Sequence, residues 1–137
     1  MKLEHKQITE RIIGAAFEVH QELGYGFLEK VYQKAMQVEL KNGGLKTEFE
    51  SPIKVGFKGY VIGDYFADLL VEDKVIVELK AAEAYSSKDK VQLINELKAT
   101  DVRVGLLINF GRERVEFRRL ICVNRQPTKS MYSRRRI

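Results

Sequence analysis

The sequence predicts an α/β (α+β) domain, a mixed β-sheet flanked by helices, in the order αα-β-β-β-α-β-β. Three observations carry this. Residues 60–80 read as two strands around a tight turn, and in the second of them Val75, Val77 and Leu79 alternate with Ile76, Glu78 and Lys80. Residues 7–42 carry helical rather than strand spacing. A helical pattern over 86–100 is followed by the nearly continuous apolar run Val104, Leu106, Leu107, Ile108, so the strands on either side of that helix are expected as parallel neighbours in a right-handed crossover.

Taken in order, Ile8, Ile12, Ala16, Val19 and Leu23 recur at three- and four-residue spacing, widened by Ile13 and Phe17, which makes an amphipathic helix. Gly24-Tyr25-Gly26 interrupts it. A second stripe of Leu28, Val31, Tyr32, Ala35 and Val38 runs to the stop signal Asn42-Gly43-Gly44, and two short helices or one kinked helix fit equally. Lys46–Phe57 reads as a strand in which Pro52 has no N–H to give, so it is bulged there or lies at a sheet edge. The loop Glu72-Asp73-Lys74 sets the next register: if Val71 faces Val75, Asp68 lies opposite Glu78, and a one-residue slip would turn Asp68 to the other face. Ser86-Ser87 with Asp89 suits the start of the helix, whose expected inner face is Val91, Ile94 and Leu97. Residues 114–123 close the chain's order as a last strand through Val115, Phe117 and Leu120.

With 137 residues, 45% apolar and 31% charged, the chain suits one domain over 1–124. Of its 24 basic residues, five fall in Arg125–Ile137, which holds no acid; the rest balance the 19 acids, so the net charge of +5 lies wholly in a basic C-terminal tail, which is expected to be flexible. A basic body of the kind that predicts nucleic-acid binding is thereby excluded, and Arg134, Arg135 and Arg136 read either as a phosphate-contacting arm or as a solvated end. The lone Cys122 excludes an internal disulfide and a cysteine-based zinc cluster; with no signal peptide a cytoplasmic location is expected, and no apolar run approaches a membrane span.

The chemistry concentrates on the hairpin. Asp68 sits among Phe66, Ala67, Leu69 and Leu70, an expensive setting for a carboxylate without a partner. Two carboxylates on one sheet face repel unless a hard cation neutralises them, and oxygen ligands suit Mg2+ or Mn2+. Lys80 reaches the same side, where its charge can stabilise a phosphate or, with a lowered pKa, help deprotonate water. The bland alternative is an exposed Glu78–Lys80 ion pair of little worth. Glu29 suits a helix-capping role as well as a site role, Tyr32 core packing, His20 a hydrogen-bonded core position, and Gln92 a polar flank.

An Asp near a strand end, a hairpin, Glu-x-Lys on the next strand, then a helix and a further strand resemble the PD-(D/E)xK nuclease superfamily with its restriction-endonuclease-like fold. Gly26-Phe27-Leu28-Glu29-Lys30-Val31-Tyr32, with His20, Gln92 and residues 105–111, is similar to the small bacterial GxxExxY family within it, over roughly residues 8–123. The resemblance implies a Mg2+ (or Mn2+)-dependent nuclease hydrolysing phosphodiester bonds of DNA or RNA by a Mg-activated water. Asp68, Glu78, the Leu79 carbonyl, Glu29 and His20 are then the metal shell, with Lys80 assisting attack and Gln92 positioning water or phosphate. Similar exonucleases carry a tyrosine four residues after this glutamine, where Glu96 stands here. The competing reading is a catalytically weak or inactive module of the same fold that binds nucleic acid or protein; a homodimer or a partner protein supplying specificity fits either.

Overall fold

The computed structural model describes residues 3–122. The expected tail, including Arg134, Arg135 and Arg136, lies outside the described residues. The elements are α1 (Lys6–Leu23), α2 (Glu29–Asn42), β1 (Thr47–Phe57), β2 (Tyr60–Val71), β3 (Val75–Lys80), α3 (Ser87–Lys98), β4 (Val104–Asn109) and β5 (Glu116–Ile121), in the predicted order. They form one five-stranded mixed sheet, β1-β2-β3-β4-β5, in which only β3 and β4 run parallel. The crossover through α3 is thus the expected one.

One sheet face packs against α1 and α2. There Val75, Val77 and Leu79 meet Ile12, Val19, Tyr32 and Met36. On the other face, Ile76 and Leu107 meet Leu93 and Leu97 of α3. The period-two alternation of β3 therefore sends Glu78 and Lys80 toward α3. Because β3 and β4 lie inside the sheet and are covered on both faces, they read as continuous apolar runs, and every residue of β4 is buried.

Pro52 is accommodated because β1 is the edge strand. It pairs with Phe66 in register, and the bulge falls later, between Val55 and Gly56. Lys58 and Gly59, both left-handed (φ 50° and 85°), make the two-residue turn into β2.

Two helices turn a different face inward from the one expected. In α2 the buried residues are Tyr32, Gln33, Met36 and Leu40, while Val31 and Val38 are exposed. In α3 they are Leu93, Glu96 and Leu97, and Val91 is exposed. For α3 the cause lies in β4. A Cβ on Gly105 would stand 2.9–3.0 Å from the Leu93 side chain, so the missing side chain is what admits Leu93 and rotates Glu96 inward with it.

Gly105→Val should therefore cost about 1–3 kcal/mol of stability by overpacking. Leu93→Ala in the same chain should recover part of that loss in urea unfolding. An unchanged midpoint for Gly105→Val would contradict this account of how α3 is seated.

Candidate functional site

The register condition is met: Val71 pairs with Val75, Leu70 with Ile76 and Leu69 with Val77. The β2–β3 ladder then ends, one step before Asp68 and Glu78. Leu79, the next residue on the same side as Val75 and Val77, gives its N–H to the Asp68 side chain instead of a β2 carbonyl (Oδ2, 2.7 Å). A strand residue directs its N–H and C=O to the same side, so the Leu79 carbonyl faces the edge that β2 has left. Asp68 thus substitutes for backbone pairing where the two strands part.

The parting is visible across the sheet. The β1–β2 ladder passes from Phe49–Leu69 to Ser51–Ala67 without pairing Glu50 with Asp68, and Glu50 sits at φ 52°. Leu69 packs in the α1/α2 core and Ala67 in the α3 core, although residues two apart in a regular strand share a face. Backbone strain of this kind concentrates at functional sites. From the α2 side, buried Gln33 donates to the Asp68 carbonyl (3.1 Å) and fixes the turnover point.

Glu78 is 5% exposed and Glu96 4%. The two carboxyls lie against each other, and Glu78 Oε2 and Glu96 Oε1 are both buried without a hydrogen-bond partner. Burial pushes the Glu78 carboxyl far above its usual range, and contact with the Glu96 and Asp68 carboxylates pushes it further. Glu96 is also raised, chiefly by burial, although Gln92 donates to its Oε2 (3.1 Å). Asp68 is raised by burial, against the pull of the Leu79 N–H, with the Glu29 carboxylate adding to the rise. Three acids therefore share one electrostatic neighbourhood.

Lys80 is half-buried, and its ammonium pairs with Asp89 Oδ1 at 3.5 Å rather than with Glu78. Asp89 is held by accepting the Ser86 N–H at the start of α3 (3.0 Å). Burial disfavours the Lys80 charge, but the carboxylates of Asp89, Glu29 and Glu78 outweigh it and raise its pKa. Lys80 is thereby held as its ammonium.

Glu29 is exposed in the first turn of α2 and makes no capping hydrogen bond there; its charge acts on Asp68 and Lys80. Its loop is anchored by Tyr32, fully buried, whose hydroxyl donates to the Gly24 carbonyl (2.6 Å) and accepts the Phe27 N–H (3.3 Å). The Tyr32 ring stacks on Phe110 at 4.6 Å. Phe110 in turn gives its N–H to the Lys80 carbonyl (2.8 Å). Buried Asn109 bonds both the N–H and the carbonyl of Ala82 (3.0 and 2.8 Å), so the backbone after Lys80 is clamped.

His20 stacks on Phe110 (6.2 Å), and its Nε2 bonds the Arg112 carbonyl (2.7 Å). It is linked to the acids through the aromatic stack, by no bond or ion pair of its own. Gln92 touches the site through Glu96. Sequence reasoning missed Gln33 and Glu96 as site members. Glu29, Gln33, Met36 and Leu40 fall at helical spacing on one line of α2, and Glu96 lies three residues from Leu93; polar residues on such lines were the available signal.

Among the described residues no three His, Cys, Asp or Glu side chains encircle a common point as ready metal ligands. The donor set nonetheless fits a hard divalent cation, since it offers carboxylate oxygens, two of them buried and unsatisfied. Two grooves reach these groups. One of about 660 Å³, between α3 and the β1–β2 hairpin, has Gln92 and Glu96 in its wall; another of about 550 Å³ is lined by Gly26, Glu29, Ala81 and Gly111.

Comparison with known proteins gives one family match: the family model for the PD-(D/E)XK nuclease superfamily covers residues 6–120. No curated protein matches. A solved structure, the crystal structure of SSO0001, is similar at 16% identity and a TM-score of 0.48 over 85% of this chain. This chain spans 59% of the length of that one.

The raised acids predict a pH dependence of stability. A carboxyl whose folded pKa exceeds its unfolded value of 4.5 keeps its proton longer when folded, so its contribution is complete below that pH and is lost as pH rises. Without added metal, unfolding free energy should fall between pH 4.5 and neutrality. Glu78→Gln should flatten that fall, and equal slopes in the two proteins would contradict the burial of an acid pair.

Proposed function

The chain belongs to the PD-(D/E)XK nuclease superfamily, and on that footing we propose that it is a divalent-metal-dependent nuclease hydrolysing phosphodiester bonds of DNA or RNA. The observation that carries the reading is the buried, unsatisfied acid set around Asp68 and Glu78 with the Lys80 ammonium beside it. Within the superfamily we assign the chain to the GxxExxY group. Gly26 is left-handed at φ 112°, Glu29 acts on the acids, and Tyr32 anchors the loop between them, which gives each motif residue a duty.

Asp68, Glu78 and the Leu79 carbonyl would hold the cation, with Glu29 and His20 completing its surroundings. When bound, Mg2+ or Mn2+ supplies the positive charge that neutralises the acids and makes water a competent nucleophile near neutral pH. Lys80, kept protonated by its carboxylate neighbours, stabilises the charge that develops on the phosphate oxygens during attack. Asp89 holds its ammonium in place and must share it with the incoming phosphate. Gln92 orients Glu96, and the Asn109 clamp keeps the Glu78–Lys80 backbone fixed while charge moves. Arg134, Arg135 and Arg136 offer contacts to backbone phosphates, and a homodimer or a partner protein would supply the sequence preference that the neutral body lacks.

Among the described residues no helix is long and apolar enough to cross a membrane. The single cysteine, buried and free, suits the reducing cytoplasm, where we place the protein.

A second reading, a nuclease-fold module that binds without cutting, draws on two observations: Lys80 is already engaged by Asp89, and Glu96 stands where similar exonucleases carry a tyrosine. One assay separates the two. Purified protein with Mg2+ or Mn2+ should degrade or nick nucleic acid, and Lys80→Ala should lower the rate by about a hundredfold or more, as loss of one charge-stabilising donor does. Retention of nucleic acid without cleavage by the wild type would favour the module, and equal cleavage by both proteins would place the chemistry elsewhere.

A further inference from the structure

Resting on the reading of the Asp68–Glu78 region as a cation site, we propose that Glu96 is a further ligand of that cation, a third carboxylate delivered from α3 and oriented by Gln92. A helix face packed against a sheet is served by Leu or Met, as at Leu93 one turn before Glu96 and at Leu97 next to it. A carboxylate there costs stability unless something uses it. What Glu96 meets is not a cationic partner but Glu78, another buried acceptor. Between them stand two oxygens, one from each residue, with no donor.

Gln92 decides which oxygen of Glu96 stays open. Its amide holds Oε2 at 3.1 Å, and Oε1 is the atom without a partner. The Asp68 and Lys80 charges both act on Glu96, which places all four groups in one field. The seat is built rather than incidental, because α3 reaches this rotation only through the missing side chain of Gly105. Glu96 also lines the groove between α3 and the hairpin, which gives the centre an opening on that side.

The test is Mn2+ binding by calorimetry and the Mn2+-induced shift in thermal unfolding, on the full chain and its Glu96→Gln, Gln92→Ala and Asp68→Asn variants. Glu96→Gln is expected to unfold at the wild-type temperature or above without metal, since its amide can donate to the Glu78 carboxyl, which lacks a donor. It should also bind Mn2+ about tenfold or more weakly and lose most of the thermal shift. Gln92→Ala alters an exposed side chain and keeps the test open should Glu96→Gln fail to fold; a several-fold loss of Mn2+ affinity is expected from it. Wild-type Mn2+ affinity in Glu96→Gln and Gln92→Ala, with binding lost in Asp68→Asn, would overturn the role of Glu96 and leave the cation site standing. No Mn2+ binding by the wild type at millimolar metal would overturn both.

Discussion

Two acids, Glu78 and Glu96, face each other in a buried space with no donor to two of their oxygens, and the surrounding structure is arranged to hold that conflict in place. Glu78 is fixed by the pleat of β3, which sends its apolar neighbours Val77 and Leu79 to the opposite core. Glu96 is fixed by Leu93, seated over Gly105, and by the Gln92 amide. Burial raises both carboxyls, so a proton relieves the pair when no cation is present.

The same conflict explains irregularities that packing alone does not require. β2 leaves β3 at Asp68, whose side chain takes over the Leu79 N–H; Glu50 is left-handed across from it; Gln33 reaches from α2 to hold the Asp68 carbonyl. Downstream, Asn109 and Phe110 fix the backbone beyond Lys80. Gly111 permits that clamp, because a Cβ there would lie 2.3 Å from Ala82 backbone atoms. Through Phe110 and Tyr32 the stack extends to the loop carrying Glu29. Strand ends, helix start and loop are thus tied to one place by short contacts.

Much of this was legible in the sequence. The element order, the parallel crossover and the hairpin register follow from period-two and helical patterns, and Asp68 among apolar neighbours marked the candidate site. Helix rotation was less legible, because α2 and α3 carry apolar residues on more than one face. Val31 and Val38 compete with Met36 and Leu40, and Val91 with Leu93. The choice was made by partners distant in sequence, Gly105 for α3 and Asp68 for Gln33. Pro52 showed the reverse: two outcomes were open, and among the described residues β1 lies at the edge of the sheet.

The central claim is that these acids are a cation site rather than a structural acid pair. Anomalous diffraction from crystals soaked in Mn2+ tests it directly. The account predicts a peak within coordination distance of the Asp68 and Glu78 carboxylates, on the side of β3 that β2 has vacated. Crystals that show Mn2+ only elsewhere, with the Glu78 and Glu96 carboxyls still in contact, would contradict it.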